Sequence, residues 1–246
     1  MAALSPSMLL HAYSMGVFPM SDGRDAADVF FVEPRKRAIM PLDGFRLSRS
    51  LRKTLRSGFF TVTRDRAFAE VVRRCADREE TWINGEIERS YAELHALGHA
   101  HSIECWAGGT LAGGLYGVKL GAAFFGESMF SAAKDASKVA LAWLVARLIV
   151  GGYTLLDCQF MTEHLRSLGA IEISQEDYLA RLSTALSSVE AGGGDAAAAG
   201  GGWAAVVAPP GVEFAALDRL LAADPIRTVD APASGCVIAQ LLGHTS

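Results

Sequence analysis

The longest apolar stretch of the sequence predicts a buried helix over residues 133–150, closed by Gly151-Gly152. Such a helix packs against a sheet, and short segments that predict strands flank it on both sides. Three consecutive antiparallel strands precede it, while a strand, a short helix, a strand and a final helix follow. These predicted elements cover residues 102–106, 111–118, 122–127, 153–158, 164–168, 170–173 and 176–186.

This order of elements predicts a domain of class α+β with a mixed sheet, and it is similar to the order in acetyltransferase-like (GNAT-like) folds. Upstream, Leu47, Leu51 and Leu55 recur every four residues and predict a helix over residues 48–57. A strand over residues 59–63 and helices over residues 67–76 and 82–97 follow. We place this domain at residues 47–186.

The apolar segments of residues 1–46 are short and predict a small N-terminal domain without a large core. Ser5-Pro6 has the form of a helix N-cap followed by proline, and it opens a short helix that stops before Gly16. Residues 29–32 and 38–41 flank the basic run Arg35-Lys36-Arg37. They predict a small sheet whose two strands are joined by a charged turn.

Residues 187–202 contain 11 Ala or Gly in 16 positions and predict a flexible linker. The remaining residues, 203–246, form a C-terminal tail to which we assign no function. The pattern of this tail predicts a weakly amphipathic helix over residues 213–224 and an apolar end over residues 237–242. It leaves open whether the tail packs on the preceding domain.

The charge distribution favours a local polyanion-binding surface over a generally basic protein. The net charge is −4, but residues 187–246 hold six acidic and two basic residues, so that residues 1–186 are neutral. Within them, residues 34–66 carry ten Lys or Arg against two acids, a local excess of +8. Arg49, Arg52, Lys53 and Arg56 lie on one side of the predicted helix, where they would either bind a polyanion or form an ordinary solvated face.

No apolar run approaches the roughly 20 residues that span a bilayer, and the N-terminus lacks the pattern of a secretory signal. The four cysteines form no CxxC pair, which argues against a disulfide framework or a zinc knuckle. We therefore expect a cytoplasmic protein with reduced thiols and no membrane association.

Two candidate groups suit proton transfer or the binding of a cation. Asp157 and Gln159 end a predicted strand, and their spacing places them on one face, where they could orient a neutral nucleophile and accept its proton. The alternative is an Asp that caps a turn. Glu127, after Phe124-Phe125, could hold a cationic substrate, although a solvent-facing glutamate is the commoner case.

Metal and nucleotide sites are not indicated. His99 and His101 share a strand face, but no further ligand pattern accompanies them, so a structural role is favoured. No phosphate-binding loop is found, and residues 131–137, which precede the buried helix, contain no glycine and carry Asp135. This argues against a pyrophosphate site for coenzyme A.

Several blocks, taken in order over residues 6–183, resemble the bacterial leucyl/phenylalanyl-tRNA–protein transferases. Each block alone is weak, but the ordered series is specific. The blocks are Ala12-Tyr13-Ser14-Met15-Gly16-Val17-Phe18-Pro19, Thr81-Trp82-Ile83, Leu97-Gly98-His99-Ala100-His101-Ser102-Ile103-Glu104, Gly113-Gly114-Leu115-Tyr116-Gly117-Val118, Gly126-Glu127-Ser128-Met129-Phe130-Ser131, Ala136-Ser137-Lys138 and Leu156-Asp157-Cys158-Gln159.

The resemblance implies a small N-terminal domain on an acetyltransferase-like domain that accepts the 3′ end of an aminoacyl-tRNA. It implies transfer of Leu, Phe and, less well, Met to the α-amino group of proteins with N-terminal Arg or Lys, which marks them for N-end-rule degradation. No metal or cofactor is implied, and we expect a monomer. A coenzyme-A-dependent N-acetyltransferase and a non-catalytic RNA-binding protein are the alternatives.

The resemblance also implies roles for residues that match the family's blocks. Asp157 and Gln159 would orient and activate the attacking amine, and Glu127 would lie near the basic N-terminal residue of the acceptor. Trp82 and Tyr91 would lie near the aminoacyl-adenosine, Leu115, Phe124 and Met129 would form the amino-acid pocket, and Arg49, Arg52, Lys53 and Arg56 would contact tRNA phosphates. Two positions depart from the family's pattern: Met20 replaces a Trp, and Thr162 replaces an Asn.

Overall fold

The computed structural model describes residues 4–187, 210–223 and 231–243, and a mixed sheet runs through the centre of these residues. The strands are β1 (Phe18–Met20), β2 (Phe30–Val32), β3 (Lys36–Ile39), β4 (Thr61–Arg64), β5 (Ala100–Ala107), β6 (Thr110–Leu120), β7 (Ala123–Ser131), β8 (Leu155–Gln159) and β9 (Ile171–Ser174). β1 and β2 pair with each other, and the other seven form one sheet in the order β4-β5-β6-β7-β8-β3-β9. In this sheet β7 and β8 are parallel, and the remaining pairs are antiparallel.

Helices cover both faces of the seven-stranded sheet. They are α1 (Pro6–Ser14), α2 (Arg49–Arg56), α3 (Phe68–Ala76), α4 (Gly85–Ala96), α5 (Ala136–Val150), α6 (Glu163–Ser167), α7 (Gln175–Ser187), α8 (Ala216–Ala222) and α9 (Ala231–Leu241). Side chains alternate along a strand, so Leu115 and Phe124 join a core with α2, α5, α8 and α9. Tyr116 and Phe125 join a second core, on the opposite face, with α1, α3, α4 and α7.

The pairing of β7 with β8 ends before either strand does. It covers Ala123 to Phe125 on β7 and Leu155 to Asp157 on β8, while β7 continues to Ser131 and β8 to Gln159. α5 connects the two parallel strands and packs across β5, β6 and β7. The ends of β7 and β8 do not pair with each other and therefore leave an opening in the middle of the sheet, above α5.

The predicted α+β class with a mixed sheet is confirmed, and the acetyltransferase-like fold stays a prediction. None of the helices that the structure describes is long and apolar enough to cross a membrane. α4 and α5 each start three residues later than predicted. α4 begins at Gly85 because the Asn84 side chain accepts a hydrogen bond from the Ile87 amide, and α5 begins at Ala136 after an N-cap at Asp135.

The predicted pairing of residues 29–32 with residues 38–41 is wrong. β2 instead pairs with β1, and β3 lies in the large sheet between β8 and β9. The basic run that suggested an exposed turn is partly buried, because the side chain of Arg37 is 1% exposed and forms an ion pair with Asp157. The domain boundary at residue 46 stays a prediction, although β3, which precedes it, contributes to the large sheet.

The C-terminal tail packs on the sheet, which the sequence left open. Phe214 is buried and its ring stacks on those of His101 and Phe124. Arg147 of α5 donates a hydrogen bond to the Phe214 carbonyl and forms an ion pair with Asp218. The predicted helix over residues 213–224 is observed as the shorter α8, and α9 contains most of the apolar end. The predicted linker lies, from residue 188 onward, outside the described residues.

Substitution of Phe214 tests whether this docking stabilises the protein. Phe214→Ala is expected to lower the free energy of unfolding by about 3 kcal/mol, because it removes a buried ring and leaves a cavity. Leu220→Ala on the exposed side of α8 is the control and should change it by less than about 0.5 kcal/mol. Urea denaturation measures both. Equal effects of the two substitutions would contradict the docking.

Candidate active site

A cavity of about 240 Å³ lies where β7 and β8 separate. Its walls are largely apolar, and Glu127 and Gln159 provide polar groups beside them. Trp82 and Arg78, which are at least partly exposed, also line it. The apolar lining residues are Leu115, Met129, Leu141, Leu144, Leu156, Cys158, Phe160 and Leu165. A cavity with apolar walls and a few polar groups suits the side chain of a small apolar substrate.

Glu127 is buried on β7 and is held by a network of neutral donors. Its Oε1 accepts hydrogen bonds from the Tyr13 hydroxyl at 2.6 Å and from Gln159 Nε2 at 3.1 Å, and its Oε2 accepts one from the Tyr91 hydroxyl at 2.8 Å. The two hydroxyl oxygens also lie 2.5 Å apart. The three contacts among these hydroxyls and the carboxyl need three hydrogens, and the tyrosines supply only two. A protonated Glu127 would supply the third.

Burial raises the pKa of Glu127 from its ordinary value of 4.5 to about 7. The hydrogen bonds from Tyr13, Tyr91 and Gln159 favour the ionised form and oppose this effect, whereas the nearby charge of Asp157 adds to it. Near neutral pH this carboxyl group is therefore divided between its charged and neutral forms. A cation that enters the cavity would favour the charged form.

Asp157 is completely buried, and other groups of the protein occupy its carboxylate. Arg37 donates to it with Nε and Nη2, and the Tyr178 hydroxyl donates at 2.9 Å. Its Oδ1 also accepts a hydrogen bond from the backbone amide of Gln159 at 2.8 Å. Gln159 adopts a left-handed backbone conformation with φ of 61°. Residues other than glycine rarely adopt this conformation unless further contacts stabilise it. Asp157 thus fixes the backbone of Gln159.

The contacts of Asp157 and Gln159 agree with the expected shared face. Tyr178 beside Asp157, and Tyr13 and Tyr91 beside the Glu127 partner of Gln159, all belong to the second core. Of the two, only Gln159 lines the cavity, where it reaches Glu127, while Asp157 lies among Arg37 and Tyr178 outside it. Gln159 Nε2 donates to Glu127. The Oε1 of the same side chain accepts no hydrogen bond from the described residues. A carbonyl oxygen in this position can accept a hydrogen bond from an amine.

The structure brings together five of the predicted substrate and catalytic residues. Glu127, Gln159, Trp82, Leu115 and Met129 line the cavity. Tyr91 is buried behind it and contacts Glu127, and Asp157 supports Gln159. Phe124 lies elsewhere, in the core against Phe214, so it is not placed in the pocket that the resemblance implied.

Sequence reasoning assigned no role to Arg37, Tyr13, Tyr178 or Arg78. Tyr13 lies in one of the blocks that carry the resemblance, and this was the available signal for it. Arg37 lies in a basic run with no local sign of burial, and its partner is 120 residues away. Its guanidinium also stacks over Phe18 and Tyr178, which completes its enclosure.

The predicted basic face is present on α2. Arg49, Lys53 and Arg56 are exposed and Arg52 is half-buried, and all four line one shallow depression of the surface. Leu51 and Leu55 of the same helix are buried against α5 and α9. None of the four cations lines the cavity at the end of β8.

No group of three or more His, Cys, Asp or Glu within the described part of the chain is arranged to hold a metal ion. His101 instead contacts Asp65 at 2.8 Å. At the start of α5, where an acetyltransferase would bind pyrophosphate, Asp135 occupies the N-cap position and forms an ion pair with Lys138. A carboxylate there repels a pyrophosphate.

Comparison with known proteins gives a consistent result. Residues 39–183 match the family model described as leucyl/phenylalanyl-tRNA protein transferase, and residues 2–35 match the model of its N-terminal domain. A leucyl/phenylalanyl-tRNA–protein transferase of Rhizorhabdus wittichii is 62% identical over the whole of both chains. One of Novosphingobium aromaticivorans is 52% identical over 99% of this chain and 97% of its own. A solved structure titled "The structure of L-PGS from Bacillus licheniformis" aligns with 63% of this chain and 53% of its own, at 16% identity and a TM-score of 0.37.

The raised pKa of Glu127 predicts a pH-dependent stability. Between about pH 4.5 and pH 7 the folded protein retains a proton that the unfolded chain has lost, so its stability falls as pH rises through this window. The loss amounts to about 3 kcal/mol. Urea denaturation of the wild type and Glu127→Gln across this range measures it. The variant should gain on the wild type as pH rises, and parallel curves would contradict the assignment.

The enclosure of Asp157 predicts a large structural role. Asp157→Asn leaves the buried Arg37 cation without a counter-charge, so it should lower the free energy of unfolding by about 3 kcal/mol or more. The matched control is Glu172→Gln, which breaks the exposed pair with Lys36 on neighbouring strands and should change it by less than about 1 kcal/mol. Similar losses for both variants, measured by urea denaturation, would refute this role.

Proposed function

This chain belongs to the leucyl/phenylalanyl-tRNA–protein transferase family of aminoacyltransferases, and from this premise we propose its substrates and the roles of its residues. The donors are tRNAs charged with Leu, Phe or, less well, Met. The acceptor is the α-amino group of a protein that begins with Arg or Lys, and the product is marked for N-end-rule degradation. The observation that carries the proposal is the apolar cavity with Glu127 and Gln159 side by side at its edge.

The apolar part of the cavity receives the side chain of the transferred amino acid. Leu115, Met129, Leu141, Leu144 and Leu156 provide this surface, which suits Leu and Phe and disfavours polar residues. A pocket of this kind separates side chains that differ by one methylene by only about 1–3 kcal/mol. Some transfer of Met follows from that limit. Trp82, which lines the same cavity, contacts the terminal adenosine in this proposal.

Glu127 recognises the basic residue at the N-terminus of the acceptor. It is the one carboxylate among the described residues that line the cavity, and a nearby cation favours its charged form. Its hydroxyl donors are neutral, so they fix its position without neutralising its charge. An acceptor that begins with an acidic residue would meet a like charge at the same place.

The chemical step is direct aminolysis of the aminoacyl ester. The acceptor nitrogen attacks the ester carbonyl carbon, a peptide bond forms, the bond to the ribose oxygen breaks, and the amine loses a proton while the ribose oxygen regains one. Gln159 Oε1 accepts a hydrogen bond from the amine and orients its lone pair. Asp157 acts as a positioning residue, since it holds Gln159 and lies outside the cavity. No acyl-enzyme is required.

The basic face of α2 contacts phosphates of the tRNA. Arg49, Arg52, Lys53 and Arg56 lie together at the surface, and phosphate contacts of this kind position a nucleic acid without reading its sequence. We propose that the enzyme acts as a monomer in the cytoplasm, where charged tRNA is made, and that it needs neither a metal nor an organic cofactor.

Transfer of radiolabelled Leu from Leu-tRNA to two peptides, one beginning with Arg and one with Glu, tests the proposal. We expect labelling of the Arg peptide alone. Gln159→Ala should lower kcat about 100-fold, with the donor KM changed much less, because the interaction acts on the attacking amine. Gln240→Ala, an exposed glutamine on α9, is the control. Equal labelling of the peptides would overturn the acceptor assignment, and full activity of Gln159→Ala would overturn its catalytic role.

A further inference from the structure

A second surface depression adjoins the active-site cavity, and Arg78 lines both. Arg24, Arg73 and Arg74 provide the other cations of this depression, which we name the arginine groove. Its acidic lining residues are Glu70 and Asp77, so four cations face two carboxylates. The groove is separate from the basic face of α2, with which it shares no lining residue.

Arg78 differs from the other cations of the groove in its contacts. Its Nη2 donates to the Ser128 hydroxyl at 2.9 Å and to the Met129 carbonyl at 2.6 Å, and both residues line the active-site cavity. Although acidic residues flank it in the sequence, no ion pair of Arg78 is recorded within the described residues. By contrast, Arg24 forms an ion pair with Glu88, and Arg73 and Arg74 form ion pairs with Glu70. An unneutralised guanidinium therefore stands where the cavity meets the groove.

The groove lies on the Trp82 side of the cavity. Trp82 lines the cavity, and Arg24 of the groove donates to the carbonyl of the next residue, Ile83. In an aminoacyl-tRNA the amino acid is esterified to the terminal adenosine, and the first phosphodiester follows directly on its 5′ side. With the amino acid in the apolar cavity and the adenosine at Trp82, that phosphodiester would come within reach of Arg78, which lines both the cavity and the groove.

We propose that the arginine groove binds the phosphodiester that joins the terminal adenosine of the donor RNA to the preceding nucleotide, with Arg78 as its principal ligand. The proposal rests on the proposed aminoacyl-tRNA donor. A guanidinium presents parallel N–H donors to two phosphate oxygens, which suits this contact better than an ammonium does. The exposed ion pair of Arg73 with Glu70 is of a weak kind, so the Arg73 side chain can turn toward the phosphate. Arg74 is half-buried over the Phe130 ring and adds its charge from the wall of the groove.

The groove's own acids limit how much RNA it holds. Glu70 and Asp77 leave a net charge of about +2 among the lining residues, which suits one or two phosphates of a single strand. This division assigns the last nucleotides of the donor to the groove and phosphates farther along the tRNA to α2. Binding of a short RNA end should therefore depend on Arg78 without the rest of the tRNA.

Two donors that differ only in phosphates provide the test. Leu esterified to the trinucleotide CCA carries internucleotide phosphates, and Leu esterified to adenosine carries none. Arg78→Gln, Arg78→Lys and the control Arg181→Gln, an exposed arginine on α7 that lines neither cavity, are compared with the wild type. Transfer kinetics with both donors and binding of uncharged, fluorescently labelled CCA are measured at several salt concentrations.

For Arg78→Gln we expect about 10-fold weaker CCA binding and a similar rise in KM for Leu-CCA, with less than about a 2-fold change for Leu-adenosine. The dependence of log Kd on log salt should fall by about 0.7 for the lost single-strand contact. Arg78→Lys should restore part of the affinity, and Arg181→Gln should match the wild type. Unchanged CCA binding in Arg78→Gln, or an equal loss with Leu-adenosine, would overturn the proposal. A wild type that binds CCA through Arg78 but transfers no Leu from any donor would refute the proposed function and leave the groove assignment standing.

Discussion

The buried ion pair between Arg37 and Asp157 is the interaction on which the centre of the molecule depends. Both side chains are almost inaccessible to solvent, and a charge in that position is tolerated only with a partner and further hydrogen bonds. Arg37 lies on β3, which pairs with β8, and its Nη1 donates a hydrogen bond to the Gly16 carbonyl. The pair therefore links the N-terminal segment, the interior strand β3 and the strand that ends at Gln159. Asp157 then holds Gln159 in a backbone conformation that directs its side chain into the cavity.

The hydrogen bonds of Glu127 explain how a second carboxyl group can remain buried near Asp157. Glu127 has no cation among its hydrogen-bond partners, only two hydroxyls and an amide. Burial raises the pKa of Glu127, and the hydrogen bonds from the neutral donors offset only part of this increase. The pKa therefore stays near 7, above its ordinary value. The two carboxyl groups thus have different environments. Asp157 has the guanidinium and serves the structure, whereas Glu127 is left without a counter-charge and lines the substrate cavity.

The sequence predicted those parts of the fold that depend on local patterns. The apolar composition of α5, the glycines after it and the short segments that predicted β5 and β6 each lie within a few consecutive residues. The place of β3 was not, because the burial of Arg37 depends on a carboxylate 120 residues away. The roles of Tyr13 and Tyr178 were not predicted for the same reason, because their partners Glu127 and Asp157 are also distant in the sequence. The left-handed backbone of Gln159 was not visible either, because it depends on a hydrogen bond from the Gln159 amide to the buried Asp157 carboxylate.

The C-terminal tail shows how the apolar core and the charged surface are connected. α2 exposes its cations because its leucines are buried, and α9 covers part of that apolar side. At Gly235 the absence of a side chain lets α9 approach the Leu55 carbonyl more closely than any Cβ would permit. Asp218 meanwhile pairs with Arg64 and Arg147, which joins the tail to β4 and α5. The packing of the α2 leucines against α5 and α9 thus fixes the direction in which the four cations point. This packing keeps the four like charges close together although no acidic residue lies between them on α2. A surface held in this way is already arranged for a polyanion before one arrives.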